Sequence, residues 1–331
     1  MPTFMPPKKH HFRRWHKSLL FLCLLFLAAV NGIAYNQAYS MMHFVDAKQR
    51  TAKPEKLSPL EKLKVVLAGV ELPRPNNVQT PGSKGLAYTT HRIPLPSHEW
   101  LEAWFMPNSA ESGIVILFPP YAASKDALLL PAKTFHDMGY SVLLVDFRGV
   151  GGSSGSDTTL GIREAEDVAT TVAFAQQKWV KRPVILYGAS MGATAVMRAI
   201  AHKELSPDAV ILESPFERLL TTVRHRFTAM GFPAFPGAEL IVFWGGVQQQ
   251  VDGFAHNPVE YAQLIKCPTL LMHGEADKRV TVQDASTSAK NLPAAKTFVI
   301  FPNANGHGAL AADNPNLWRQ QIRKFLHSLQ R

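Results

Sequence analysis

Val184-Ile185-Leu186-Tyr187-Gly188-Ala189-Ser190-Met191-Gly192-Ala193-Thr194-Ala195 decides how the rest of the chain is read. Its first four residues read as a strand buried on both faces, and the small residues from Ala193 onward open a helix. Between strand and helix stands one serine with a glycine two residues to either side. So sharp a reversal admits only small neighbours, and it lifts the serine hydroxyl above the end of the sheet. The start of the following helix also favours negative charge at that point. These features predict Ser190 as a nucleophile. The same Gly-x-Ser-x-Gly pattern recurs at Gly151-Gly152-Ser153-Ser154-Gly155. That copy follows the loop Asp146-Phe147-Arg148-Gly149-Val150 rather than a strand, and no small-residue helix comes after it. Context selects Ser190 and leaves Ser153 in a glycine-rich loop.

Outward from this turn, strand and helix signals alternate from about residue 86. Strands are expected at 88–93 and 99–105 as an antiparallel opening pair, then at 114–118, 141–145, 184–187, 209–212, 269–272 and 297–301. Helices are expected near 127–138, 163–178, 191–202, 282–291 and 315–329. Alternation at this spacing implies an α/β fold, a doubly wound and mostly parallel sheet. Ligands in such folds sit beyond the C-terminal ends of the strands.

A serine hydroxyl attacks only when a base takes its proton, and the base needs a carboxylate to orient it. Downstream loops that follow strands supply both. His307, between Gly306 and Gly308, is the expected base. The loop His273-Gly274-Glu275-Ala276-Asp277 offers Asp277 as the acid, with Glu275 as the alternative and Glu213 as a more distant one; His273 reads as structural. An oxyanion needs two fixed backbone N–H groups. Met191 supplies one. The other is expected from the loop after strand 114–118, where Pro119 and Pro120 cannot donate and Tyr121 is the first free N–H, followed by Ala122.

Residues Gly188 to Gly192, Asp146-Phe147-Arg148-Gly149, His273-Gly274-x-x-Asp277-x-x-Val280 and Gly306-His307 are similar to motifs of the α/β-hydrolase superfamily. Within it the chain looks closest to single-anchor serine hydrolases with a DxRGxGxSxG loop, over about residues 86–330. The resemblance implies the triad Ser190–Asp277–His307, no metal or organic cofactor, and hydrolysis of an ester, thioester or related acyl bond. One departure is Pro119-Pro120 where the family usually has His-Gly. Tyr121 keeps the donor position, with a stiffer and more apolar rim.

The chain has 331 residues, 46% apolar and 18% charged, enough for a large core. Its net charge of +10 is uneven. Lys8, Lys9, Arg13, Arg14 and Lys17 stand together with no acidic residue among the first seventeen, directly before an apolar run from Leu19 to Val30 that Ile33, Ala34 and Tyr35 extend. A basic tail beside such a run points to a membrane and not to nucleic acid. The expected organisation is a cytoplasmic tail at 1–17, a transmembrane anchor (or signal peptide) at 18–35, a tether at 36–85 and a hydrolase domain at 86–331. The positive-inside rule places the domain on the periplasmic or extracytoplasmic side. Cys23 and Cys267 cannot plausibly pair, and Cys267 reads as a small buried hydrophobe.

Within the tether, Ser58, Pro59 and Glu61 announce a short helix with a capping box. Its stripe of Leu57, Leu60, Leu63, Leu67 and Val70 faces either a membrane surface or the domain. At about 215–257 an aromatic-rich insertion interrupts the pattern, either as a lid over the serine or as an ordinary subdomain. The sequence thus predicts a membrane-held serine hydrolase acting on a small or lipid-like acyl substrate. Alternatives are a peptidase of the same fold and a non-catalytic, membrane-tethered interaction protein.

Overall fold

In a computed structural model, the residues described are 10–46, 50–52, 57–110, 112–180, 182–293, 295–302, 304 and 306–329. Lys8, Lys9 and Lys56 lie outside them. Five strands are buried at every position: β3 (Ile114–Phe118), β4 (Ser141–Val145), β5 (Val184–Ala189), β6 (Ala209–Glu213) and β7 (Thr269–Gly274). Runs without alternation require cover on both faces, and helices supply it. With β1 (Thr89–Pro94), β2 (Trp100–Met106) and β8 (Lys296–Phe301) they make one eight-stranded sheet in the order β1-β2-β4-β3-β5-β6-β7-β8. β1, β2 and β4 pair antiparallel, and the remaining pairs are parallel. This is the doubly wound, mostly parallel sheet the sequence predicts.

Helices α1 (His10–Met42) and α2 (Pro59–Ala68) precede the sheet. α3 (Leu129–Asp137), α4 (Glu164–Lys178) and α5 (Met191–Lys203) connect its first half. α6 (Leu219–Met230), α7 (Gly237–Gln249) and the short α8 (Pro258–Tyr261) fill the interval between β6 and β7. α9 (Val282–Asn291), α10 (Leu310–Asp313) and α11 (Pro315–Ser328) complete the chain. The strand ends matter most for the site. β5 continues through Gly188 and Ala189, and β7 through His273 and Gly274, two residues beyond the apolar runs that mark them in the sequence. The extra residues stay in register with Phe118, Glu213, Ile300 and Phe301 of neighbouring strands, so pairing extends them past the end of the hydrophobic pattern.

α1 departs from the expected organisation. The sequence pattern ends the apolar helix at Tyr35 and begins a tether at 36, yet the helix is unbroken to Met42. Ala38, Met41, Met42 and, beyond the helix, Phe44, Val70 and Leu72 are buried. The polar residues that suggested a boundary are used for docking. Asn31 Oδ1 accepts from Trp244 Nε1 of α7 at 3.1 Å, and Gln37 Nε2 donates to the Val66 carbonyl of α2 at 2.8 Å. The first half of α1 is bare: Leu19, Leu20, Phe21, Leu22, Leu24, Leu25, Phe26 and Leu27 are exposed. α1 is long and apolar enough to cross a membrane.

In α2 the Ser58 side chain accepts from the Glu61 amide while Glu61 Oε2 accepts from the Ser58 amide at 2.8 Å, and Gly69 ends the helix at a φ of 87°. No residue of α2 is buried, and Leu60, Leu63 and Leu67 of its stripe face outward.

Candidate active site

Ser190 alone makes the turn between β5 and α5, at φ 51° and ψ −112°. An L residue held there stores strain on the order of 1–3 kcal/mol, so the surroundings must enforce it. The Ser190 amide donates to the Glu213 carbonyl on β6 at 2.7 Å. A Cβ on Gly188 would stand 2.5 Å from the Ala193 backbone, and one on Gly192 would stand 2.4 Å from the Phe118 carbonyl oxygen. Both glycines are therefore required by close approach, and the second presses the turn against the end of β3.

His307 Nε2 lies 2.7 Å from Ser190 Oγ, and His307 Nδ1 lies 2.6 Å from Asp277 Oδ2. Asp277 carries no proton to share, so the network assigns the Nδ1 proton to the Asp277 bond and leaves Nε2 to accept from the serine. Asp277 Oδ1 accepts the amides of Arg279 at 2.9 Å and Val280 at 3.1 Å. Burial pushes the Asp277 carboxyl up, but the His307 hydrogen bond and charge, together with those two amides, hold it below the usual carboxylate range.

The alternative carboxylates are placed elsewhere. Glu275 is exposed, with its amide bonded to the Phe301 carbonyl. Glu213 is buried, and its carboxyl accepts from Tyr187 Oη at 2.5 Å, Trp318 Nε1 at 3.0 Å and the Leu310 amide at 2.9 Å. It braces β5 and β6 against the segment that follows His307. His273 is buried and bonded through Nε2 to the Val280 carbonyl at 3.0 Å, and burial lowers its pKa. Burial pushes the Cys267 thiol up to about 11, which leaves it protonated and a poor nucleophile.

Ser153 is buried with its hydroxyl fully engaged. Its Oγ donates to the Asp146 carbonyl at 2.7 Å and accepts the Glu102 amide at 2.9 Å.

The loop after β3 reverses at Ala122, which sits at a φ of 52°. Neither the Tyr121 nor the Met191 amide has an acceptor among the described residues. The Tyr121 phenol donates to the Met41 carbonyl of α1, and burial pushes its pKa up to about 12. Beneath the loop lies a group the sequence reading missed. Lys125 is wholly buried; its ammonium is paired with Asp146 and with Glu102 at 2.8 Å, and rests 4.0 Å above the Trp104 ring. Asp146 Oδ1 also accepts the Lys125 amide at 2.7 Å, while its Oδ2 accepts Asn77 Nδ2 at 2.8 Å and the Gly152 amide at 2.9 Å. The Asp-x-Arg-Gly loop thus anchors the loop after β3 by a buried ion pair. The one available signal was Glu102 interrupting the apolar strand β2.

The insertion folds as two helices above this edge. His225 of α6 is 3.0 Å from the Arg279 carbonyl in the loop after β7, and Phe216, Leu219, Val223, Ala238 and Val242 form a small core with Val280. Phe232, Phe235, Phe243 and Phe254 are exposed, so the aromatic residues divide between packing and surface. Among the described residues, no group of three or more His, Cys, Asp or Glu is arranged to hold a metal ion.

A model of the serine aminopeptidase S33 family matches residues 109–236. Lysophosphatidylserine lipase ABHD12 of Danio rerio is 27% identical over 242 residues, covering 64% of this chain and 59% of its own. The uncharacterized protein YqkD of Bacillus subtilis is 27% identical over 201 residues, 59% of this chain and 65% of its own. The chain thus spans about three fifths of the length of these curated relatives. The esterase Pf2001 of Pyrococcus furiosus superposes with a TM-score of 0.65 at 22% identity, over 77% of this chain and 96% of that one. A membrane phospholipase A superposes with a TM-score of 0.54 at 20% identity, over 73% and 87% respectively.

Proposed function

We propose that the chain is a serine hydrolase of the α/β-hydrolase kind that cleaves an ester or thioester of a lipid-like acyl group. The observation that carries this reading is the unbroken relay from Ser190 Oγ through His307 to Asp277, at 2.7 and 2.6 Å, on a serine held at a φ of 51°. His307 Nε2 takes the hydroxyl proton as Ser190 Oγ bonds to the acyl carbon. The carbonyl oxygen becomes an oxyanion, held by the amides of Tyr121 and Met191. His307 then gives its proton to the leaving oxygen or sulfur as that bond breaks, leaving an acyl-enzyme. Water repeats the sequence with His307 again as base, and Ser190 regains its proton. Asp277 stabilises the imidazolium and does not itself take the proton.

The relatives include a protein named as a lysophosphatidylserine lipase, which supports a lipid-like substrate. The exposed first half of α1 supports anchorage in a membrane, and the basic residues before it support an extracytoplasmic domain beginning near residue 86. A peptidase acting on a free amino terminus would need a carboxylate to hold the amine, and Asp277, the carboxylate of the relay, is already bonded to His307.

Labelling the full-length protein with a fluorophosphonate tests the assignment. Label is expected on wild type and on Ser153→Ala and absent from Ser190→Ala. Label that persists in Ser190→Ala and vanishes in Ser153→Ala would overturn it. Absence of labelling together with no turnover of any p-nitrophenyl ester would favour the interaction protein.

A further inference from the structure

Between Lys17 and Asp46 the chain has no Asp, Glu, Lys or Arg. Trp15 and Tyr35 stand twenty residues apart on α1, and both are exposed. At 1.5 Å per residue that spacing is about 30 Å, the thickness of a hydrocarbon core, and Trp and Tyr collect at its two boundaries. The pair marks where α1 enters and leaves a bilayer. Lys17 is close enough to the first boundary for its long side chain to reach the surface. Tyr39, exposed one turn beyond Tyr35, falls at headgroup level on the domain side.

α7 meets α1 at and below this second boundary. The Trp244 ring lies edge-on to Tyr35 with 5.5 Å between centroids, and Gln248 Nε2 donates to the Tyr35 carbonyl at 2.9 Å. Trp244 Nε1 reaches further, to Asn31 Oδ1 at 3.1 Å. Asn31 lies four residues, about 6 Å, deeper than Tyr35. Its Nδ2 donates to the Leu27 carbonyl at 2.9 Å, so protein satisfies both ends of the amide, as a polar group at hydrocarbon depth requires.

The contacts also fix which way α7 is turned. Gly245 and Gln249 are buried and meet the last turns of α1: a Cβ on Gly245 would stand 3.1 Å from Met42 Cε, and Gln249 Nε2 is 3.4 Å from His43 Nε2. At 3.6 residues per turn, the order around α7 runs from Gly245 and Gln249, through Trp244 and Gln248, to Phe243 and Val247. The first pair meets Met42 and His43, and the second meets Asn31 and Tyr35. The third pair therefore comes next toward the bare half of α1. Phe243 and Val247 are 49% and 52% exposed, and no charged residue stands between Glu239 and Asp252.

We infer that α7 is a second membrane-contact element, whose Phe243–Val247 face rests in the acyl–headgroup boundary of the leaflet that α1 leaves. The inference rests on the reading of α1 as a membrane helix. A helix in that plane buries its apolar face about 5–10 Å into the boundary. Lipid is the occupant because the face continues the bare apolar surface of α1, at the depth the Trp15–Tyr35 spacing sets. The insertion between β6 and β7 is then seated on the bilayer, and the exposed aromatic side of α7 has a use.

Spin labels test this on the full chain in phosphatidylcholine nanodiscs. In a Cys23→Ala, Cys267→Ala background, Leu24→Cys, Phe243→Cys and Val247→Cys are each labelled singly with a nitroxide. Collisions with oxygen, which concentrates in lipid, are expected to exceed those with a water-soluble nickel chelate several-fold at 243 and 247, and by more at 24. Nickel collisions that dominate at 243 and 247 while 24 remains in lipid would overturn the inference and leave the anchor standing. Nickel collisions that dominate at 24 as well would sink the anchor reading and the inference together. Dipolar broadening at 243 would seat a second copy on this face and overturn the inference too. The wild-type chain gives an arm without substitutions. A phospholipid with a diazirine close to its acyl carbonyl is expected to crosslink peptides covering 240–250 as well as α1; crosslinks on α1 alone would overturn the inference.

Discussion

Residues 188–192 and 151–155 share one five-residue pattern, and the fold treats their serines in opposite ways. The hydroxyl of Ser190 stands on a strained residue, half-buried, with an imidazole at 2.7 Å and no backbone partner for its oxygen among the described residues. The hydroxyl of Ser153 is buried between a carbonyl and an amide of the polypeptide itself, at 2.7 and 2.9 Å. In both segments the glycines serve close approach. On one side they admit β3 against the serine turn; on the other they admit the carboxylate of Asp146, 1.9 Å from where a Cβ on Gly151 would sit. The difference teaches that a hydroxyl is left available by what is withheld from it. Ser190 is kept from satisfying itself within the backbone, at a cost in strain, and Ser153 is satisfied completely.

The comparison breaks most visibly if the two serines are exchanged in importance. Ser190→Ala is expected to lower kcat/KM for ester hydrolysis by about 10⁴-fold or more, with the melting temperature held because the backbone strain at this position is the same for alanine. Ester turnover and differential scanning fluorimetry on the same sample check both halves. Asp277→Asn keeps the geometry but offers the wrong partner to the imidazole Nδ1–H, and kcat should fall by about 10⁴. Lys125→Met leaves Asp146 and Glu102 without their counter-charge, and denaturant unfolding should show a loss of about 3–5 kcal/mol. Ser153→Ala strips two buried backbone groups of their partner and should cost about 1–3 kcal/mol, with kcat/KM of the folded protein changed less than threefold, roughly within the experimental scatter of such comparisons.

The smallest effect concerns a buried imidazole away from both serines. His256 is wholly buried, bonded to the Leu160 carbonyl at 3.1 Å, and burial lowers its pKa to about 3. Its folded pKa lies below the unfolded value, so the unfolded chain binds the extra proton as pH falls from about 6.5. Stability is lost in that direction, by at most about 1.4 kcal/mol per pH unit from this one group. His256→Gln should flatten the slope of unfolding free energy between pH 6 and 4, measured by urea titration at each pH.

Much of the sheet was legible because β3 to β6 are nearly uninterrupted apolar runs, and a strand covered on both faces leaves that signature. The serine turn was legible because close approach forces glycine at two fixed positions. His307 and Asp277 lie after strands, and topology carries such loops to one edge, which is why chain order alone selects the residues the structure brings together. Other features had no local signature. Gln37 reads as the end of an apolar helix, although its amide docks α1 on α2. Lys125 carries no mark of burial in its own neighbourhood, although two carboxylates from β2 and the end of β4 meet it in the interior. The insertion stayed ambiguous because its phenylalanines serve two environments, Phe216 in the core and Phe235 at the surface. In each of these cases the deciding partner lies far away along the chain.

α1 runs without a break from its bare apolar half to Met42, and its last turns are fixed to α2, α7 and Tyr121. At 1.5 Å per residue, about 22 Å of helix separate Leu27 from Met42. With the bare half in a bilayer there is no slack between lipid and domain, so the serine keeps one height and one heading above the surface. For the lipid-like substrate proposed above, supply would then be two-dimensional: it would arrive by sideways diffusion within a leaflet, and the governing quantity would be its mole fraction among the lipids. Adding inert lipid at constant total substrate would slow such an enzyme, as it would not slow one that met its substrate in solution.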